Sequence, residues 1–298
     1  MAVNEFSTQY IKTYESNLLH LVQQKGSKLR ESVTVRGAES MDHQFNVIAG
    51  HDTLQTPVYG TNAAKWVDTV IDNTVYNNRV ATPIPIYSAD TFKRFDMSRT
   101  LVDPQSALIQ TQAYRLGRKL DDIIIAAATA TATDSLGTGG LTLPASQQVG
   151  GAAIAPSFTL VQQTREGIME ADIDPDEEVI FVVSPNFVAA LMTDAKATSI
   201  DYTNAKALMG GALVQGWMGF TWKVSNRLTK PVAGPPAQVY ALAYTKDSIG
   251  LKINQDVQTK VAEVPQKQFD TLVYSSMDAG AVRIHDKKVF RVHYLETN

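Results

Sequence analysis

The residues of this chain that could do chemistry are few and scattered. Its five histidines, His20, His43, His51, His285 and His293, include no pair at the spacing of a metal motif. His285 and His293 flank a short turn on its polar side. Asp172, Asp174 and Asp176 alternate like the start of a calcium loop. Pro175 sits in the wrong place, no glycine holds the sixth position and an apolar run follows, so an acidic turn is the better reading. Gly137, Gly139 and Gly140 invite a phosphate-loop reading, but no Gly-Lys-Ser/Thr follows and the glycines come after a helical stretch. Asp121 and Asp122 are adjacent acids whose side chains, on a helix, point about 100° apart, which is no acid–base dyad. Lys287-Lys288 is too short for a nucleic-acid patch. There is no Gly-x-Ser-x-Gly elbow, no dinucleotide fingerprint after a strand and no His-Glu-x-x-His. The sequence therefore assigns no catalytic, cofactor-binding or metal-binding residue.

Composition narrows the classes further. With 298 residues, 44% of them apolar, the chain can bury one large core or two linked lobes. A net charge of -3 supplies no strong field toward nucleic acid or a membrane. The absence of cysteine removes disulfides and thiolate chemistry, and suits a protein assembled in a reducing cytosol. The N-terminus is polar, without the basic-then-apolar order of a signal peptide, and no apolar run approaches the roughly 20 residues of a membrane span.

The elements that would position these residues are more legible. Asp103 and Pro104 suit the cap and first position of a helix running to about Thr133. Leu108, Ile109, Ala113, Leu116, Leu120, Ile123, Ile124 and Ala127 recur along it at spacings of three and four. Gln110, Gln112, Arg115, Arg118, Lys119 and Asp122 lie mostly off that stripe. Such a helix, about 40 Å long, is either a strut for other elements or a long core helix of an enzyme. Residues 1–31 carry Phe6, Tyr10, Tyr14, Leu18 and Leu21 at helical spacing, with Gly26-Ser27 as the stop, and dock on their own core or on a neighbour. Val33 to Val47 read as a hairpin or extended ribbon broken at Gly37 and Gly50. Residues 51–78 are polar and turn-rich, and Val80 to Tyr87 is an extended strand stiffened by Pro83 and Pro85. So about 70 residues hold little continuous core, which is rare unless the segment reaches a partner.

After the long helix, residues 134–157 read as a mobile loop or insertion. Thr159 with Gln162 has capping-box spacing for a helix to about Ala171. Val179–Val183 suits a buried strand, and Ser184-Pro185-Asn186 opens another helix. Strands are expected at 220–224, 239–244 and 249–254, and 269–274 fits a strand or a short helix. Val282 and Ile284 then form a closing hairpin with Phe290, Val292 and Tyr294 around Asp286-Lys287-Lys288.

This order of elements resembles the major capsid protein of tailed bacteriophages, the Hong Kong 97-type fold, over nearly the whole chain. The stretches that carry the likeness are Gly26-Ser-Lys-Leu-Arg30 before Val33-x-Val35, Thr82-Pro-Ile-Pro, Phe92-Lys-Arg-Phe95 with Val102-Asp-Pro, and Phe181-Val-Val-Ser-Pro-Asn-Phe187. The resemblance implies an α+β fold. Its parts would be an N-terminal arm at 1–31, an E-loop with its connections at 32–102, and a peripheral domain at 103–169 containing the spine helix 103–133 and flexible loop 134–157. An axial domain at 170–248 and peripheral C-terminal strands at 249–298 would complete it. It implies a non-enzymatic head protein, without cofactors, that self-assembles as pentamers and hexamers into an icosahedral shell around double-stranded DNA in the host bacterial cytoplasm and resides in the virion. Implied partners are copies of itself, with scaffolding, portal and decoration proteins and weak non-specific DNA contact, and no membrane. The inter-subunit candidates are Tyr10, Tyr14, Tyr59, Lys65, Trp66, Arg94 and Arg99. Some members of the family crosslink through a Lys and an Asn near a Glu; Lys65 lies in the matching region, but no residue pattern supports that role. An encapsulin-type nanocompartment shell shares the fold, and a cytosolic α/β enzyme using residues 157–250 is a reading from another class.

Overall fold

The computed structural model describes residues 23–37, 40, 42–48, 76–93, 104–134, 140–174, 176–194, 215–232 and 236–296. Its dominant element is α1 (Pro104–Thr129), which opens at the expected proline and spans about 40 Å. Leu116, Leu120, Ile124 and Ala127 are buried as the stripe requires, while Ile125 and Ala128 join them. Gln112 was expected off the stripe and is instead fully buried. The helix stops four residues short of Thr133, because Thr129, Thr131 and Thr133 favour extended backbone and a buried arginine collects the terminal carbonyls.

The strands follow in chain order. They are β1 (Thr34–Gly37), β2 (His43–Ile48), β3 (Tyr76–Ala81), β4 (Ile84–Phe92), β5 (Ala132–Thr133), β6 (Gly140–Leu141) and β7 (Gln148–Gly150). After α2 (Phe158–Glu170) come β8 (Val179–Val183), α3 (Pro185–Thr193), β9 (Phe220–Val224), β10 (Ala237–Thr245), β11 (Ile249–Val264), β12 (Asp270–Arg283) and β13 (Val289–Glu296). They build a four-stranded sheet, β1-β11-β12-β4, a five-stranded sheet, β7-β13-β10-β8-β9, and two small ribbons, β2-β3 and β5-β6.

Each pairing has a local cause. Every residue of β8 is buried, as its unbroken apolar run predicts for a strand covered on both faces. Ser184 caps α3 by accepting from the Phe187 N–H, with Pro185 at the first position. Pro85 lies in β4, an edge strand, where the missing donor is tolerated. Phe181, Phe187, Phe220, Trp222 and Tyr294 pack ring on ring over one face of the five-stranded sheet, with Phe181 stacked on Trp222 at 4.8 Å. One apolar core runs from these rings through Leu242 to Leu251, Ile253 and the inner side of α1.

Several expectations are corrected. β1 and β2 form no hairpin with each other: β1 pairs in parallel with β11, and β2 runs antiparallel to β3. The closing hairpin is also absent, since β12 lies in the four-stranded sheet and β13 in the five-stranded one. Val282 and Ile284 pack in a small cluster with Phe45, Ala81 and Ala132, whereas Val289 and Phe290 enter the main core. Residues 140–157 are not a simple loop, because β7 adds in parallel to the edge of β13 and Leu143 is buried. At α2 no capping-box bond forms; the Phe158 N–H donates to Asp194 Oδ2 at 3.1 Å. Residues 269–274 belong to β12. The expected N-terminal helix lies outside the described residues. From Gln23 to Leu29 the chain is irregular, with Gly26 at φ +77°.

Candidate functional site

Among the described residues, two polar regions are heavily built: the segment that enters the body from Gln23, and the root of the β2-β3 ribbon. The first root is residues 23–32. The Asp121 carboxylate of α1, fully buried, accepts from Gln24 Nε2 (2.5 Å), Ser27 Oγ (2.5 Å) and the Lys28 and Leu29 backbone N–H groups (3.1 Å each). Arg118 Nη1 donates to Gln23 Oε1 and the Gln24 carbonyl. The neighbouring Asp122 points elsewhere, as helical geometry demands, and takes Arg227 in a two-point ion pair. That hydrogen bond is the main reason the Arg227 guanidinium is raised above its ordinary pKa.

The second root is where the β2-β3 ribbon meets the four-stranded sheet. Leu251 and Ile253 of β11 turn into the core, so Gly250 and Lys252 face the ribbon. A Cβ on Gly250 would lie 2.4 Å from the Phe45 ring, and one on Gly280 would lie 2.3 Å from the Thr82 carbonyl oxygen. The two glycines therefore form a flat seat for the ribbon and its turn. Lys252 is completely buried, and its Nζ donates to the Ser40 carbonyl (2.5 Å) and Ser40 Oγ (2.6 Å). Thr82 Oγ1 donates to Asp42 Oδ1 at 2.6 Å.

Arg283 joins this root to the end of α1. It is wholly buried and donates to the carbonyls of Ala128 (3.1 Å), Ala130 (2.8 Å) and Leu141 (2.7 Å). Its Nε pairs with Asp286 Oδ1 at 2.6 Å, and Asp286 Oδ2 takes Arg79 of β3 at 2.8 Å. Beside them His285, half-buried, is depressed below its ordinary pKa by burial and then by Lys288, against Asp247, Glu177 and Asp286.

Beyond the roots, the outer strands present apolar surface. Ile84 and Tyr87 on β4 are 64% and 67% exposed, and Tyr87 stacks on Tyr274 with ring centres 5.8 Å apart. Val257, Val261 and Phe269 are exposed along and beyond the β11–β12 hairpin. The acidic run forms the expected turn, with Asp174 accepting from the Asp176 N–H. Among the described residues no group of three or more His, Asp or Glu is placed to hold a metal, and no helix is long and apolar enough to cross a membrane.

The sequence-derived interface candidates Tyr10, Tyr14, Tyr59, Lys65, Trp66, Arg94 and Arg99 all lie outside the described residues. What sequence reasoning missed is the buried set Asp121, Lys252 and Arg283. A charged side chain carries no sequence mark of burial, and the approach of Gly26 to Gly117, one turn from Asp121, is visible only in the folded chain.

A helix-braced pair of sheets, with an irregular entry segment and a ribbon rooted on its outside, is the Hong Kong 97-type α+β fold of shell-forming subunits. The chain belongs to the phage capsid protein family, whose sequence pattern matches residues 6–296. Solved structures agree on the fold. The capsid of cyanophage P-SCSP1u superposes with a TM-score of 0.72 at 16% identity, covering 97% of this chain and 94% of that one. The capsid asymmetric unit of cyanophage Pam1 gives 0.70 at 13%, covering 100% of both chains. The capsid of Ralstonia phage GP4 gives 0.69 at 12%, covering 100% and 99%. No curated protein sequence matches the chain. Family membership makes this a major capsid protein, a structural component of the virion.

Proposed function

We propose that copies of this chain assemble as pentamers and hexamers into an icosahedral shell that encloses packaged double-stranded DNA. The observation that carries this reading is the family match, which runs from residue 6 to residue 296 and so spans arm, ribbon and body together. Residues 1–31 serve as the arm, and the part of 32–102 beyond the ribbon root lies across a neighbouring subunit. The four-stranded sheet with α1 is the peripheral domain. The five-stranded sheet is the axial domain, to which β13 is added from the expected C-terminal peripheral segment. Tyr10, Tyr14, Tyr59, Lys65, Trp66, Arg94 and Arg99 contribute to contacts between copies. Many such heterologous contacts close by symmetry, each of modest strength. Scaffolding, portal and decoration proteins complete the partners, assembly takes place in the host cytoplasm, and contact with DNA is weak. A net charge of -3 suits a container that must not clamp its genome.

Electron microscopy and sedimentation of the purified protein, with and without a scaffolding partner, test this. Closed shells with hexameric and pentameric units are expected. Monomers or small dimers under every condition would end the proposal.

A further inference from the structure

Residues 23–30 make polar contacts with both α1 and the five-stranded sheet just before the chain enters β1. Gly117 and Asp121 stand one turn apart on the same side of α1. A Cβ at Gly117 would lie 2.7 Å from the Gly26 Cα and carbonyl carbon, so the segment crosses the helix at backbone contact. Gly26 itself holds φ +77°, which turns the chain so that the next amides face the helix. Asp121 then receives Ser27 Oγ and the Lys28 and Leu29 N–H groups. Gln24 Nε2, Ser27 Oγ and the Lys28 and Leu29 N–H groups all donate to its two oxygens, the arrangement a carboxylate is built to accept. The same segment reaches the five-stranded sheet. Lys28 Nζ donates to the Val224 carbonyl at 3.1 Å, and Lys223 Nζ donates to the Lys28 carbonyl at 3.0 Å. Two residues further on, Ser32 Oγ meets the Leu29 carbonyl and the buried Tyr244 hydroxyl, and the chain enters β1 at the edge of the four-stranded sheet.

We propose that this segment is a buckle, with Asp121 its positioning residue, that fixes α1 against the five-stranded sheet and holds the point at which the chain enters β1. Opening the buckle frees the entry segment while each sheet keeps its own ladder. Hydrogen bonds to one carboxylate hold the segment beside a single buried apolar anchor, Leu29: Gln24 and Ser27 are only part-buried and Lys28 is exposed. A segment held in that way opens at lower cost than the sheets it joins.

The test is amide hydrogen exchange on the full-length, unassembled chain, comparing the wild type with Asp121→Asn, and separately with Gly117→Ala, which keeps the carboxylate but wedges the segment away. In both variants peptides covering Lys28 and Leu29 should exchange about 10- to 100-fold faster, the loss expected for charge-assisted bonds to a buried acceptor. Peptides from β8 and β10 should keep their wild-type rates, and Asp121→Glu should restore part of the protection. Unchanged exchange at Lys28 and Leu29 overturns the buckle. So does uniform acceleration through β8 and β10, which would make Asp121 a general stability residue.

Discussion

Arg283 donates to three main-chain carbonyls and one carboxylate with no water contact, so its guanidinium is at once the end-cap of α1 and the pin between β6, β12 and the ribbon. Removing it takes from Asp286 one of its two arginine partners and strands the carbonyl of Ala128 in a buried site. Arg283→Ala should therefore cost about 3–5 kcal/mol, the usual penalty for breaking a buried ionic network, read as a drop in the urea midpoint. Arg283→Lys should recover little, because a single ammonium cannot span the fork. His285 next to it gives a pH signature. Burial and Lys288 hold its folded pKa below the ordinary 6.5, against Asp247, Glu177 and Asp286. A depressed histidine leaves the native state with fewer bound protons than the unfolded chain. Its contribution is thus intact above about pH 6.5 and is lost as pH falls through the folded value. His285→Gln should make the urea midpoint less sensitive to acidification from pH 7.5 to pH 5; an unchanged acid slope would count against this assignment.

Elements tell which parts of the fold local pattern can specify. The unbroken apolar run of β8, the Ser184-Pro185 start of α3 and the alternation of β9 each contain their own instruction, and all three appear where expected. Pairing partners were not legible. Alternation at Val33–Val35 and at Phe45–Val47 states which face each strand buries, not which strand it joins, so β1 went to β11 and β2 to β3. The same holds for β12 and β13, whose short connection looks like a hairpin turn but spans two sheets. The buried Gln112 was equally hidden: only the sheet beside it reveals that its amide bonds Val273 and Ser275. Glycines in β11 and β12 read as weak points of strands, yet they are the seat of the ribbon. Gly280→Ala places a Cβ against the rigid Thr82–Pro83 backbone and should cost about 1–3 kcal/mol, with the ribbon root lifted. Gly250→Ala first meets the Phe45 ring, a side chain that can shift where backbone cannot, and should cost less. Equal urea midpoints for the two variants would argue against the seat.

At the scale of the whole molecule, the question is which residues the subunit needs for itself and which only the shell needs. The described parts of 32–95 are held by the subunit's own body: β1 and β4 are strands of the main sheet, and Phe45 and Ala81 sit in the cluster with Val282 and Ile284. Folding energy is therefore concentrated at the ribbon's root, where Lys252, the two glycines and the Arg79–Asp286–Arg283 chain meet. Residues 49–75, outside that set, include Tyr59 and Trp66, large amphipathic side chains of the type that carries contact energy between proteins. Trp66→Ala and Tyr59→Ala should leave the stability of the isolated subunit, read from the urea midpoint, within about 0.5 kcal/mol of wild type, since the proposed function assigns both side chains to contacts between copies. The same variants should sharply lower the yield of closed shells in sedimentation, while Gly280→Ala lowers subunit stability and shell yield together. If Trp66→Ala instead unfolds the isolated subunit, the ribbon is part of the subunit's own core and the division between root and shell contact fails.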